Sequence, residues 1–175
     1  MNQCTAMDQL EAAQQRLFAR LSELDIAATT YRHPPLHTVT ESQAYRKDMP
    51  GAHCKNLFLK DKKQQLWLIV MLEDRQVALN QLPRHIGSAR LSFGKPDLLQ
   101  QVLGVQPGSV TPFALINDTA QQVNVILDKA MLTAPLVYYH PLDNRATTAL
   151  AADDLLRFIA SCGHSPRIVD FDALA

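Results

Sequence analysis

Lys55-Asn56-Leu57-Phe58-Leu59-Lys60-Asp61-Lys62-Lys63-Gln64-Gln65-Leu66-Trp67-Leu68-Ile69-Val70-Met71-Leu72 is the stretch that decides the fold class. Two β-prone segments, 55–60 and 65–72, flank the polar turn Asp61-Lys62-Lys63-Gln64. Four residues cannot hold a crossover helix, so the pair reads as an antiparallel hairpin with a rather long loop. The run from Leu66 to Leu72 is the longest apolar one and is expected to be a buried strand.

Outward from the hairpin, short strands are expected at residues 27–31, 89–93, 123–127, 136–139, 144–150 and 166–171. His33-Pro34-Pro35 closes the first of these, because neither proline can donate to a ladder. Leu10, Ala13, Leu17, Leu21 and Leu24 recur at helical steps and predict an amphipathic helix over 8–24. Thr38 or Thr40 can cap a short helix to about Arg46, and Asn80 can cap another over 82–86. Lys95-Pro96-Asp97 opens a helix that Gly104 stops, and Asp153 or its neighbour starts a last one closed by Gly163. Several strands are separated by turns too short for helices. The expected class is therefore α/β of the α+β kind. It has a mixed, largely antiparallel sheet or partly closed barrel with helices packed around it, in one domain over 1–175.

An apolar share of 47% with 19% charged residues suits a folded globular chain and excludes disorder or a fibre. No apolar run approaches the ~18 residues of a membrane span. Met1-Asn2-Gln3-Cys4 starts no secretory signal, and Cys4, Cys54 and Cys162 suit free thiols in a reducing cytoplasm. Net charge is zero, yet residues 31–95 hold eleven Lys/Arg against five acids, a net of +6 against −6 elsewhere. Such a distribution either offers one positive face to phosphates or is a solvated surface.

Three features can carry chemistry. Gly108-Ser109-Val110-Thr111-Pro112-Phe113, between two strand-like segments, is a short loop stiffened by a glycine and a proline. Successive N–H groups of such a loop can converge on an oxyanion or a carbonyl; an ordinary turn is the alternative. Lys55 shares a strand face with Leu57 and Leu59, which points it to their interior or to the cleft at its end, unless it reaches out to water. His140, behind Tyr138-Tyr139 and ahead of Pro141, can act as a proton carrier or be satisfied structurally. No zinc spacing and no phosphate-binding glycine motif is present, and the adjacent His53 and Cys54 diverge along a strand.

Taken in order, Tyr31-Arg32-His33-Pro34-Pro35, residues 55–61, Arg90-Leu91-Ser92-Phe93, residues 108–113 and His140-Pro141-Leu142-Asp143-Asn144 resemble the YbaK/prolyl-tRNA-synthetase-associated editing domains. The similarity covers nearly the whole chain and is greatest to the free-standing PrdX/ProXp-ala type. It implies a trans-acting deacylase of mischarged aminoacyl-tRNA, Ala-tRNA(Pro) first, in the cytoplasm, with prolyl-tRNA synthetase as a further candidate partner and no cofactor or metal. The resemblance carries the catalytic positions onto Lys55, Gly108 and His140, and substrate binding onto Ser109, Val110, Thr111, Pro112, Tyr139 and Tyr31. It carries tRNA binding onto Lys60 and Arg90. Relatives often have an aliphatic residue before the histidine, so Tyr139 leaves the amino-acid preference open.

The chemistry of editing fits such a site. A synthetase pocket rejects a smaller amino acid weakly, because a missing methylene is worth only ~1–3 kcal/mol, and a second site must clear the product. The ester is already activated. Loop N–H groups would hold the carbonyl or terminal ribose, Lys55 would act as a fixed cation or as a base, and His140 would orient substrate or water. The rival readings are another aminoacyl ester (Cys-tRNA(Pro), Ser- or Thr-tRNA), a non-catalytic tRNA- or synthetase-binding module, and a small-molecule hydrolase.

Overall fold

Helix α1 (Ala6–Glu23) starts where Thr5 and Asp8 satisfy each other's backbone N–H groups in a capping box, and it buries Leu17 and Leu21. It opens a computed structural model that describes residues 5–35 and 49–173. There follow β1 (Thr29–Arg32), β2 (Ala52–Asp61), β3 (Leu66–Leu72), α2 (Leu82–Ile86), β4 (Leu91–Phe93) and α3 (Pro96–Leu103). The chain continues through β5 (Val123–Asp128), β6 (Leu136–Tyr139), β7 (Ala146–Ala151), α4 (Ala152–Ser161) and β8 (Arg167–Val169).

The hairpin is present as expected. β2 and β3 pair antiparallel from Cys54↔Leu72 to Lys60↔Leu66. Asp61 closes the turn, its Oδ1 accepting the Lys63 and Gln65 N–H groups at 2.8 and 3.0 Å. Around it the strands run β1-β7-β6-β2-β3-β5-β8, with β4 on β2. β2–β6, β3–β5 and β5–β8 are parallel and the other pairs antiparallel, so the sheet is mixed.

Both faces of β3 are covered, which is why its sequence is a continuous apolar run and not an alternation. Leu66, Leu68 and Val70 enter the larger core with Phe113, Tyr139, Phe158 and the apolar sides of α3 and α4. Trp67, Ile69 and Met71 enter a smaller core with Leu59, Leu82, Ile86 and Phe171. On the edge of β2 away from β3, β6 pairs only Ala52 and His53, and β4 pairs only residues 59–61. Residues 54–58 thus face a window in the sheet with no strand partner there among the described residues.

Two local expectations are corrected. The Gly108 loop does not lie between strands: α3 precedes it and a 3-10 helix, Pro112–Asn117, follows. Pro112 sits in its first turn and Thr111 Oγ1 accepts the Phe113 N–H at 3.3 Å, so the apolar run 113–116 starts as a capped helical turn. Asn80 caps nothing, because a 3-10 turn, Leu79–Gln81, runs straight into α2 and Gln81 takes the cap position. The helix expected after Thr38 or Thr40 lies outside the described residues.

Candidate functional site

The loop at Gly108 is held from both ends. Gly108 adopts φ +89°, open to glycine and costly for other residues, and Ser109 donates its N–H to the Gln106 carbonyl at 3.0 Å. Ser109 and Thr111 are buried, Pro112 and Phe113 sit in the protein interior, and Val110 packs on the larger core. The N–H groups of Gly108, Val110 and Thr111 make no hydrogen bond among the described residues. These are unspent donors on a rigid bend, the property an oxyanion-binding loop requires.

The 140–144 segment closes on this loop. A Cβ on Gly108 would stand 3.8 Å from the Asn144 side-chain nitrogen. The Leu142 N–H bonds the His140 carbonyl at 2.9 Å across Pro141, and Leu142 itself adopts φ +70°. A left-handed leucine costs about 1–3 kcal/mol and persists only where its surroundings over-determine it. Here α1 supplies part of that constraint, since Gln14 donates to the Pro141 carbonyl at 2.9 Å. His140 donates Nδ1–H to the Ala146 carbonyl at 2.7 Å, an acceptor-only partner that sets the ring's tautomer and orientation. His33, at the end of β1, stands edge-on to it with centroids 6.2 Å apart and is anchored by Thr147 Oγ1 at 2.8 Å. The sequence motif contained His33, but only β1–β7 pairing reveals that it neighbours His140.

Lys55 and Asn56 sit side by side in the window of β2 and diverge by strand alternation. Lys55 is half-buried on the face of Leu57 and Leu59, as expected, and its ammonium donates to the Arg75 carbonyl. That face belongs to the smaller core, whereas the Gly108 loop rests on the larger one. Asn56 follows the larger-core face, opposite Val70, and its Oδ1 is buried without a hydrogen-bond partner. An orphaned buried amide oxygen is costly and marks Asn56 as a site candidate that nothing in its sequence pattern singles out.

The remaining expected residues fall into two other places. Tyr139 is 2% exposed, edge-on to Phe113 at 6.0 Å between ring centroids, with its hydroxyl 2.8 Å from Met131 Sδ and 3.6 Å from Cys54 Sγ. It braces the turn that carries Pro112. Tyr31 lies on the outer strand β1, 40% exposed. Lys60 and Arg90 come together, forming with Lys62 and Lys95 the wall of a hollow of about 650 Å³ between β2, β4 and α3.

Cys54 is no nucleophile in waiting. Burial pushes its thiol up to about 12, with the Asp128 and Glu73 charges adding to the rise and the Tyr139 hydroxyl opposing it. At pH 8 the thiolate fraction is then ~10³-fold below that of an ordinary cysteine. Peptide-resolved iodoacetamide labelling at pH 8 should find Cys54 slower by about that factor, and its rate should still be rising about tenfold per pH unit above pH 10, where an ordinary cysteine has levelled off. Labelling at the rate of an exposed cysteine would contradict the burial described. Among the described residues no group of three His, Cys, Asp or Glu is placed to hold a metal.

The sequence profile of the aminoacyl-tRNA editing domain matches residues 33–158. The chain is 40% identical over 158 residues to prolyl-tRNA synthetase associated domain-containing protein 1 of Bos taurus, covering 87% of this chain and 92% of that one. It is 35% identical over 159 residues to the prolyl-tRNA editing protein ProX of Acetoanaerobium sticklandii, covering 90% and 97%. A solved structure of a candidate trans-editing enzyme for prolyl tRNA synthetase matches with a TM-score of 0.68 at 18% identity over 90% of this chain and 96% of that one, a likeness of fold. The chain belongs to the aminoacyl-tRNA editing domain family.

Proposed function

We propose that this chain hydrolyses a small amino acid from mischarged tRNA in trans, with Ala-tRNA(Pro) as its first substrate. The observation that carries the reading is the Gly108 bend, which lies beside Asn144 and whose N–H groups at 108, 110 and 111 make no hydrogen bond among the described residues, inside a chain of an editing family. Names of relatives that speak of prolyl-tRNA editing support the choice of tRNA. In this reading the N–H groups of Gly108, Val110 and Thr111 receive the ester carbonyl and stabilise the negative charge that develops on it. Lys55, on the opposite face of β2 from the bend, supplies a cation to the terminal phosphate, and His140, oriented through Ala146, positions the substrate or the attacking water. Ser109, Thr111 and Pro112 shape the bend, and Tyr139 supports it from the core. Tyr31 would act at the rim, on the exposed side of β1.

A panel of Ala-, Cys-, Ser- and Thr-esterified tRNAs and free aminoacyl esters tests this directly. The expected result is rapid hydrolysis of Ala-tRNA(Pro) and little effect on an ester lacking the tRNA. Hydrolysis of none of them would leave the chain a binding module.

Lys60 and Arg90 line the hollow described above, so they are assigned to the backbone of the acceptor end. Arg90→Ala should weaken binding of tRNA(Pro) across sequences and lower the slope of log affinity against log salt by about one. An unchanged slope would remove Arg90 from the interface.

A further inference from the structure

Phe93 is 62% exposed, the most exposed large apolar side chain among the described residues. Its place is imposed by its neighbours. β4 pairs β2 through Leu59↔Phe93, and the next residue, Gly94, donates its N–H to the Phe58 carbonyl at 2.9 Å. A Cβ on Gly94 would stand 2.4 Å from the Phe58 ring, so only glycine lets the backbone lie this flat on the core. The strand is pinned on Phe58 while the Phe93 ring is left in solvent at the wall of the 650 Å³ hollow.

The same hollow is lined by Lys60, Lys62, Arg90 and Lys95, and none of the four is ion-paired among the described residues. Its two acids form no ion pair with them and leave the lining cations in excess, four against two. Asp61 is buried, and its oxygens accept the Lys63, Gln65, Trp67 and Ala89 N–H groups. Asp97 lies in the first turn of α3, facing the positive end of that helix. An exposed π face ringed by uncompensated cations matches a ligand that joins a flat uncharged ring to phosphates. An apolar protein segment would leave the four cations unpaired.

We propose that Phe93 is a stacking platform for one unpaired nucleobase of single-stranded RNA, whose flanking phosphates the four cations hold. The assignment of that RNA as the acceptor end of tRNA rests on the function proposed above. Lys60 stands five residue steps along β2 from Lys55, about 17 Å of strand. The base on Phe93 is therefore an unpaired one inward from the esterified terminal nucleotide.

Unacylated tRNA(Pro) transcripts, intact or with one abasic residue at each single-stranded position in turn, provide the test, read by fluorescence anisotropy at fixed salt. Phe93→Ala should raise Kd about 5- to 150-fold with an unchanged salt slope, and Phe93→Trp should restore it. One abasic position should cost the wild type a similar factor and cost Phe93→Ala almost nothing, since the two lose the same stack. Wild-type affinity in Phe93→Ala, or equal sensitivity of both proteins at every abasic position, overturns the proposal. So does a Phe93 dependence confined to purified prolyl-tRNA synthetase, which would make the patch a protein-docking surface. If the wild type hydrolyses no ester of the panel but the stacking signature persists, the editing reading fails and the binding site stands; the converse result fails the platform alone.

Discussion

Lys55→Ala should lower single-turnover hydrolysis of Ala-tRNA(Pro) by about 10²-fold, the usual cost of letting the reacting ester shift by about 1 Å when a positioning contact is lost. The side chain is half-buried and fills no part of either core, and its described partner is the Arg75 carbonyl. Its removal takes away one hydrogen bond to a charged group, worth about 1.5–3 kcal/mol at most, so the fold should survive. Circular dichroism and a thermal melt establish that survival; the rate on mischarged tRNA then isolates the chemistry. An unimpaired rate in the folded variant would end the assignment of Lys55 to the reaction. Asn56→Ala is the informative companion, since its orphaned Oδ1 lies on the opposite face of the same strand, towards the larger core.

Asp128→Ala should destabilise the protein by about 3–5 kcal/mol, the cost of breaking a buried charge pair from one side. The carboxylate is fully buried at the end of β5. One oxygen accepts the Leu72 N–H at 3.1 Å and the Arg75 Nε; the other accepts the Ala130 N–H at 3.1 Å and a second Arg75 nitrogen at 3.1 Å. Truncation strands two backbone donors and half of a guanidinium fork. Asp172, held below the usual carboxylate range by its hydrogen bonds to Arg75 at 2.8 and 2.9 Å, retains the other half. Urea unfolding at constant m-value measures the loss, and a change below ~1 kcal/mol would show that Leu72 and Ala130 find other acceptors. The same network connects stability to the site, because the Arg75 that Asp128 grips also presents its carbonyl to Lys55.

Elements whose cause is local were legible in residue order. The hairpin at 55–72 follows from two apolar segments and four polar residues between them, and α3 follows from Pro96 at its start and Gly104 at φ +67° after its end. The 3-10 helix after Thr111 escaped because 113–116 is too short and apolar for periodicity to tell a strand from a helical turn. The candidate site divides in the same way. Gly108, His140 and Lys55 announce themselves by residue type, while Asn56 and His33 acquire interest only from what stands beside them.

By itself the order of residues determined that this chain makes a mixed sheet with helices, that a glycine and a proline stiffen the bend at 108–112, and that its cations gather between residues 31 and 95. All of these depend on interactions within a few neighbours. Only the tertiary structure decided that β2 carries a core on each face, so that Lys55 and Asn56 point to opposite ones, and that Phe93 stands uncovered among unpaired cations. Those outcomes hinge on which strands meet across the window of β2. That is a matter of pairing between segments as far apart as Ala52 and Val137, which no local pattern encodes.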